Sequence, residues 1–231
     1  MNAVAAIARR ELKAYFDTPL GTLVLAALLA TFAFFFFYVH DALGAGVASM
    51  RGLFRTAPIV LAVFAPLVTM RLVADERSSG TWELLATLPV TESQVVLGKF
   101  AAGLAVLCLG IVGTLPQVAT IAWLGDLDLG PVLGGYLGMT LLAALYVAVG
   151  LLFSAWSASP IVAALSGLLA CFGLWIVDKL ALRVPGSAGR ALAWLGVDGH
   201  ASNLARGVLD SRDFVYFGAA TGVALAAATW T

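Results

Sequence analysis

"LGPVLGGYLGMTLLAALYVAVGLLFSAWSASPIVAALSGLLACFGLWIV", residues 129–177, runs for 49 positions without one Asp, Glu, Lys or Arg. A helix crosses the hydrocarbon layer in about 20 apolar residues, so this stretch is too long for one crossing and long enough for two. "SAWSASP", Ser154 to Pro160, supplies the break, since small polar residues followed by proline read as a tight turn. The other membrane architecture, a β-barrel, is built from short alternating strands, which these solid runs do not provide. The chain reads as an all-α membrane protein.

The rest of the sequence agrees. Its 231 residues are 61% hydrophobic and 11% charged, with mean hydropathy +0.99, against about 25% charged in a soluble domain. Spans are expected near 21–39, 53–73, 100–124, 131–153, 160–177 and 214–231, six helices in one transmembrane domain covering 1–231. The 19-residue run from Gly21 to Val39 is too long for a signal-peptide core and counts as the first span. The second is the least clean: only Thr56 to Met70 is uncharged, so Arg55 and Arg71 must reach opposite interfaces. Pro58 and Pro66 in the second span, and Pro116 in the third, imply packing against protein. Gly130, Gly134 and Gly138, and again Gly218 and Gly222, recur every four residues and are candidates for close helix packing.

Formal net charge is zero, with 13 basic and 13 acidic residues, and no polybasic run suggests nucleic acid. Cys108 and Cys171 show no ligand spacing, and His40 and His200 stand far apart, so no metal constellation is visible. Basic residues divide six to seven between the two sides; Arg9, Arg10 and Lys13 ahead of the first span favour a cytoplasmic amino terminus. "IARRELKAYFDTP" sets Ile7, Leu12, Tyr15 and Phe16 to one side and Arg9, Arg10, Lys13 and Asp17 to another, an interfacial-helix pattern. The sixth span ends without a basic tail, which suggests a chain that continues.

Between spans two and three lies a polar island, "ADERSSGTWELLATLPVTESQVVLGKF", Ala74 to Phe100, with six charges. Burying such groups in lipid costs about 2.5–3.5 kcal/mol each, so the island must face water or protein. Trp82, Leu85 and Leu88 recur at helical spacing, Glu83 sits in the first turn and Pro89 ends the run. Thr91 with Gln94 forms a capping-box pattern opening the third span. The reading is a short amphipathic helix at the membrane surface whose apolar face wants a partner.

This region resembles type-2 ABC-transporter permeases. The resemblance is carried by Met70, Arg71, Glu76, Gly80, Thr81, Glu83, Leu84, Leu85, Pro89, Leu97, Gly98 and Lys99. "ARGVLDSRDFVYF", Ala205 to Phe217, is similar to the segment before the last helix in the gliding-motility-associated branch of that family. The resemblance implies a permease subunit of an ATP-driven exporter in the bacterial cytoplasmic membrane. It would pair with a second permease subunit, alike or different, and with cytoplasmic ATP-binding subunits that carry ATP and magnesium. No G-x-x-x-x-G-K-[ST] occurs here, so no cofactor is expected on this chain. Glu76, Gly80, Thr81, Trp82, Glu83, Leu84, Leu85 and Pro89 would form the coupling helix and its flanks. The 36 residues from Asp178 to Asp213 would form extracytoplasmic helices dipping toward the bilayer, with Arg206, Asp210, Arg212 and Asp213 as an ion-paired cap of the last helix.

No H-E-x-x-H, G-x-S-x-G or intramembrane carboxylate pair points to an enzyme. An ion-coupled transporter would keep ionisable groups inside its spans, and the uncharged cores have none. That class and a non-transporting membrane anchor remain as alternatives. Phe32, Phe35, Trp123, Tyr136 and Tyr146 are expected to line a pathway, a composition that leaves the substrate open.

Overall fold

The structure is a computed structural model that describes residues 3–44, 46–80, 91–181 and 183–230. Every regular element among the described residues is a helix: α1 (Ala3–Phe16), α2 (Pro19–Phe34, running on as a π turn over Phe35–Val39), α3 (Arg51–Thr69), α4 (Ala74–Ser78), α5 (Glu92–Val112), α6 (Leu115–Leu124), α7 (Leu129–Trp156), α8 (Pro160–Ala181), α9 (Ser187–Leu195), α10 (Val197–Ala205) and α11 (Ser211–Thr229). Among the described residues five stretches are long and apolar enough to cross a membrane: Pro19–Val39, Arg51–Ser78, Glu92–Leu124, Leu129–Trp156 and Pro160–Ala181. The sixth expected span is helical as α11 but falls outside that group; its first turn carries Arg212 and Asp213.

The centre is α7, which packs against α3, α8, α10 and α11. α3 fills the other half of the core with Leu53, Leu61, Ala62 and Ala65, all fully buried. In contrast, few residues of α2 and α8 are buried within this chain. Those two helices form outer faces that lipid or another protein must cover.

The local signals explain where helices start and stop. Thr91 accepts from the Gln94 amide while the Gln94 side chain accepts from the Thr91 amide, so the capping box forms as its spacing predicts. It starts α5 at Glu92, eight positions before the expected span, because a helix can begin in water before entering the apolar layer. Pro116 breaks the third span as expected, at Gly113–Thr114. There the Thr114 hydroxyl donates to the Ile111 carbonyl at 2.6 Å and therefore accepts from Tyr136 Oη on α7 at 2.7 Å. The break is closed by a side chain on the neighbouring helix.

Phe32 and Tyr146, expected to line a pathway, are instead sealed in the core at 0% exposure, whereas Trp123 stands at 89%. Both lie on helix faces turned toward neighbouring helices, where a large ring is worth more as buried area than as lining.

At the turn end of α7, Ser154 is fully buried. Its hydroxyl accepts from the Val73 and Ala74 amides, each at 3.2 Å, and donates to the Met70 carbonyl at 3.1 Å. One hydroxyl thereby satisfies the backbone where α3 passes into α4. Ser154→Ala leaves those groups without this partner in a dry site, at a cost of about 1–3 kcal/mol. The expected result is a melting temperature several degrees lower in detergent, with helix content unchanged by circular dichroism.

Candidate functional site

Two polar sites lie at opposite ends of the bundle. The first is where α1, α4 and α5 converge. Lys99 Nζ lies 2.8 Å from Glu76 Oε1 and 3.3 Å from Glu11 Oε1, and donates also to the Leu72 carbonyl. Arg10 Nη2 lies 2.7 Å from Glu11 Oε1 and 3.2 Å from Glu76 Oε1. The Lys99 side chain is 0% exposed, Glu11 14%, Glu76 17% and Arg10 54%.

Sequence dictates this meeting through a glycine. A Cβ on Gly98 would stand 2.7 Å from Ile7 Cβ and 3.1 Å from the Val4 carbonyl, so only glycine lets α1 lie this close to α5. With α1 seated on Gly98, the next residue, Lys99, reaches Glu11 one turn further along α1. The Leu97-Gly98-Lys99 sequence thus combines a close approach with the cation that secures it.

The electrostatics balance. A buried ammonium is strongly unfavourable without carboxylate partners, and Lys99 has two. Hydrogen bonding to Glu11 raises the Arg10 pKa further, so its charge is permanent. Burial pushes the Tyr15 phenol up to about 12, which keeps it neutral beside the cluster. Among the described residues these ion pairs set two cations against two anions. Beside them opens a cleft of 250 Å³ lined by Glu11, Tyr15, Thr18, Arg71, Asp75 and Glu76.

Of the residues assigned to the coupling helix and its flanks, Glu76, just ahead of the connecting elbow of residues 80–89, belongs to this cluster. Gly80 follows α4 with φ +70 and open space where a Cβ would stand, the left-handed turn that ends such a helix. Thr81, Trp82, Glu83, Leu84, Leu85 and Pro89 lie outside the described residues. The elbow's two roots, Glu76 before it and Lys99 after it, are ion-paired to each other.

The second site lies at the other end, over α9, α10 and the first turn of α11. Asp178, near the end of α8, accepts from the amides of Asp198 at 2.5 Å and Gly199 at 3.3 Å, in the first turn of α10. Lys179 pairs with Asp198. His200 Nδ1 lies 2.5 Å from Asp213 Oδ1, and the imidazole stacks on Tyr216 with ring centres 4.1 Å apart. Tyr216 in turn donates to the Leu195 carbonyl at 2.6 Å.

The expected ion-paired cap of the last helix takes a different form. Asp210 caps α11 by accepting from the Arg212 amide at 2.9 Å. Asp213, 2% exposed, points away from that cap toward His200 and Asn203 on α10. Arg206 and Arg212 are exposed and make no ion pair among the described residues. The two aspartates are three positions apart in the first turn, so only one can cap while the other faces the neighbouring helix.

The packing glycines also divide. Gly134 and Gly138 stand against Leu204 on α10, whereas a Cβ on Gly130 would meet only Asp128 of its own turn. A Cβ on Gly218 or Gly222 would meet nothing within 4 Å.

Sequence reasoning missed Arg10, Glu11 and Lys99 as a charge cluster, and His200 as the partner of Asp213. The separations are 88 positions from Glu11 to Lys99 and 13 from His200 to Asp213. The available signal was a lysine directly after a glycine at a helix entry, together with a glutamate among the basic residues of the amino-terminal helix.

With this geometry in hand, residues 51–188 match a family model described as ABC-2 family transporter protein. The match takes in α3, α5, α6, α7 and α8 and the elbow between α4 and α5. No curated protein is significantly similar to the chain.

Proposed function

Because the chain belongs to the ABC-2 transporter family, a family of transmembrane components of ABC transporters, we propose that it is the permease subunit of an ATP-driven exporter, moved by a separate ATP-binding subunit that docks on residues 80–89. It is then a multi-pass protein of the bacterial cytoplasmic membrane with its amino terminus and elbow in the cytoplasm. α11 serves as the sixth crossing, and the α9–α10 end faces outward. A second permease subunit covers part of the exposed apolar faces of α2 and α8. The Ala205–Phe217 block supports the gliding-motility-associated branch as its position within the family.

The observation that carries this reading is the cluster of Lys99, Glu76, Glu11 and Arg10 at the roots of the elbow. A loop that only joined two spans would need no buried cation at its base. A lever needs a stiff fulcrum. Here a push on Trp82, Glu83, Leu84 or Leu85 by the ATP-binding subunit would pass through Glu76 and Lys99 to α3, α5 and α1 together. Binding and hydrolysis of ATP on the partner would thereby alternate the access of the pathway between permease subunits.

The test is Glu83→Arg combined with Leu85→Asp, co-expressed with an ATP-binding subunit. The double variant is expected to lose co-purification of that subunit and the permease-dependent stimulation of its ATPase, while the isolated permease keeps its melting temperature. Retention of both would overturn the proposal. Transport that follows an ion gradient with ATP absent would favour the ion-coupled alternative.

A further inference from the structure

We propose that the cleft between α9, α10 and the first turn of α11 seats a phosphate-bearing anion, held by Arg190, Arg206 and Arg212. Two hollows meet there, of 570 and 830 Å³, and both are lined by Arg190, Gly199, Ser202 and Arg206. Arg212 lines the larger, together with Arg190 and Arg206.

The charges in these hollows fall into two groups. Every carboxylate already has work within the fold: Asp178 holds the first turn of α10, Asp198 pairs with Lys179, Asp210 caps α11 and Asp213 pairs with His200. The three guanidiniums do not. None is ion-paired among the described residues, and Arg206 makes only a 3.4 Å contact to Ser202 Oγ. In the larger hollow three guanidiniums face two carboxylates, Asp210 and Asp213, so the concave surface keeps an excess of positive charge. The arginines' planar forks match the oxygens of a phosphate two at a time, which a lysine cannot do.

The surroundings say what kind of phosphate. A bare anion would occupy a small part of 830 Å³. The same hollow carries Trp194 and Val215 on its wall, 59% and 66% exposed. Apolar side chains beside a cationic seat suit a headgroup that continues into hydrocarbon. The seat also adjoins the end of α8, one of the helices able to cross a membrane, and basic pockets at such ends take up anionic headgroups. The seat does not depend on the exporter reading, because nothing in it involves the elbow or an ATP-binding subunit.

The full chain, purified in detergent, is titrated with dioctanoyl phosphatidylglycerol and, separately, with inorganic phosphate, and the melting temperature is followed. A ligand that binds only the folded protein raises it. Phosphatidylglycerol is expected to stabilise the parent, and its apparent affinity is expected to fall about tenfold in the triple variant Arg190→Gln, Arg206→Gln, Arg212→Gln. Arg183→Gln, in the same connection but lining neither hollow, is expected to leave the affinity unchanged. Stabilisation by the lipid alone identifies the source as a headgroup. Equal stabilisation by inorganic phosphate, lost in the same triple variant, identifies it as the free anion; either supports the seat. If the triple variant melts lower without ligand, the single substitution Arg212→Gln, expected to weaken binding about threefold, replaces it. Absence of stabilisation by both probes, or unchanged affinity in the arginine variants, overturns the proposal.

Discussion

Lys99→Met is expected to destabilise the chain by about 3–5 kcal/mol, the cost of removing one partner from a buried ion cluster. The ammonium is the most deeply buried charge of its cluster, 0% exposed, and neutralises two carboxylates at 2.8 and 3.3 Å. Without it, Glu11 and Glu76 lose the cation they share, and the Leu72 carbonyl loses its donor. Methionine fills a similar volume, so lost packing contributes little. Arg10→Gln is the control. Its side chain is 54% exposed, and an ion pair so open to solvent contributes about 0–1 kcal/mol.

A second variant distinguishes charge balance from shape. Replacing a buried ion cluster entirely by neutral groups is often close to neutral in stability. Lys99→Met with Glu11→Gln and Glu76→Gln should therefore recover most of what Lys99→Met loses in a denaturation midpoint measured in detergent. If Lys99→Met melts with the parent, the joint is not rigid and the lever argument for the elbow fails with it. If the triple variant folds well yet no longer stimulates an ATP-binding subunit, the charges serve coupling beyond stability.

How far these features could be read from residues alone depends on the range of the signal. The start of α5 was legible because its cause is local, Thr91 and Gln94 being three apart; the prolines were legible only in part, since Pro116 stands at a break whereas α3 runs on through Pro58 and Pro66. The hairpin of α7 and α8 followed from an uncharged run too long for one crossing. The π turn over Phe35–Val39 was not legible, since nothing in "FFFYV" distinguishes it from ordinary helix. Side-chain partnerships were the least visible. Glu11 reads as one more charge on an interfacial helix until Gly98 brings α1 onto α5. Asp213 reads as a helix cap until α10 is folded over it and presents His200. Equally, glycine spacing marks both Gly134 and Gly218, but only the fold separates the one that meets another helix from the one that faces outward.

That separation gives the second large effect. Gly134→Ala is expected to cost about 3 kcal/mol, the upper part of the range for overpacking, because the atoms in its way are backbone. A Cβ there would lie 2.3 Å from the Leu204 carbonyl oxygen and 3.2 Å from Gly207 Cα. Neither can rotate aside, so α10 as a whole must move off α7. Since α10 carries His200, and the amides of Asp198 and Gly199 that Asp178 holds, its displacement also strains the second polar site. Gly222→Ala is the opposite case: its added methyl meets nothing within 4 Å, and alanine gains about 0.8–1.0 kcal/mol over glycine in helix propensity. The pair of variants, same chemistry and same helix-interior setting, should move the melting temperature in opposite directions. Equal shifts would mean that α10 does not rest on α7 at Gly134. In that event the arginine-lined hollow, which depends on α10 being held there, would have no fixed shape in which to seat an anion.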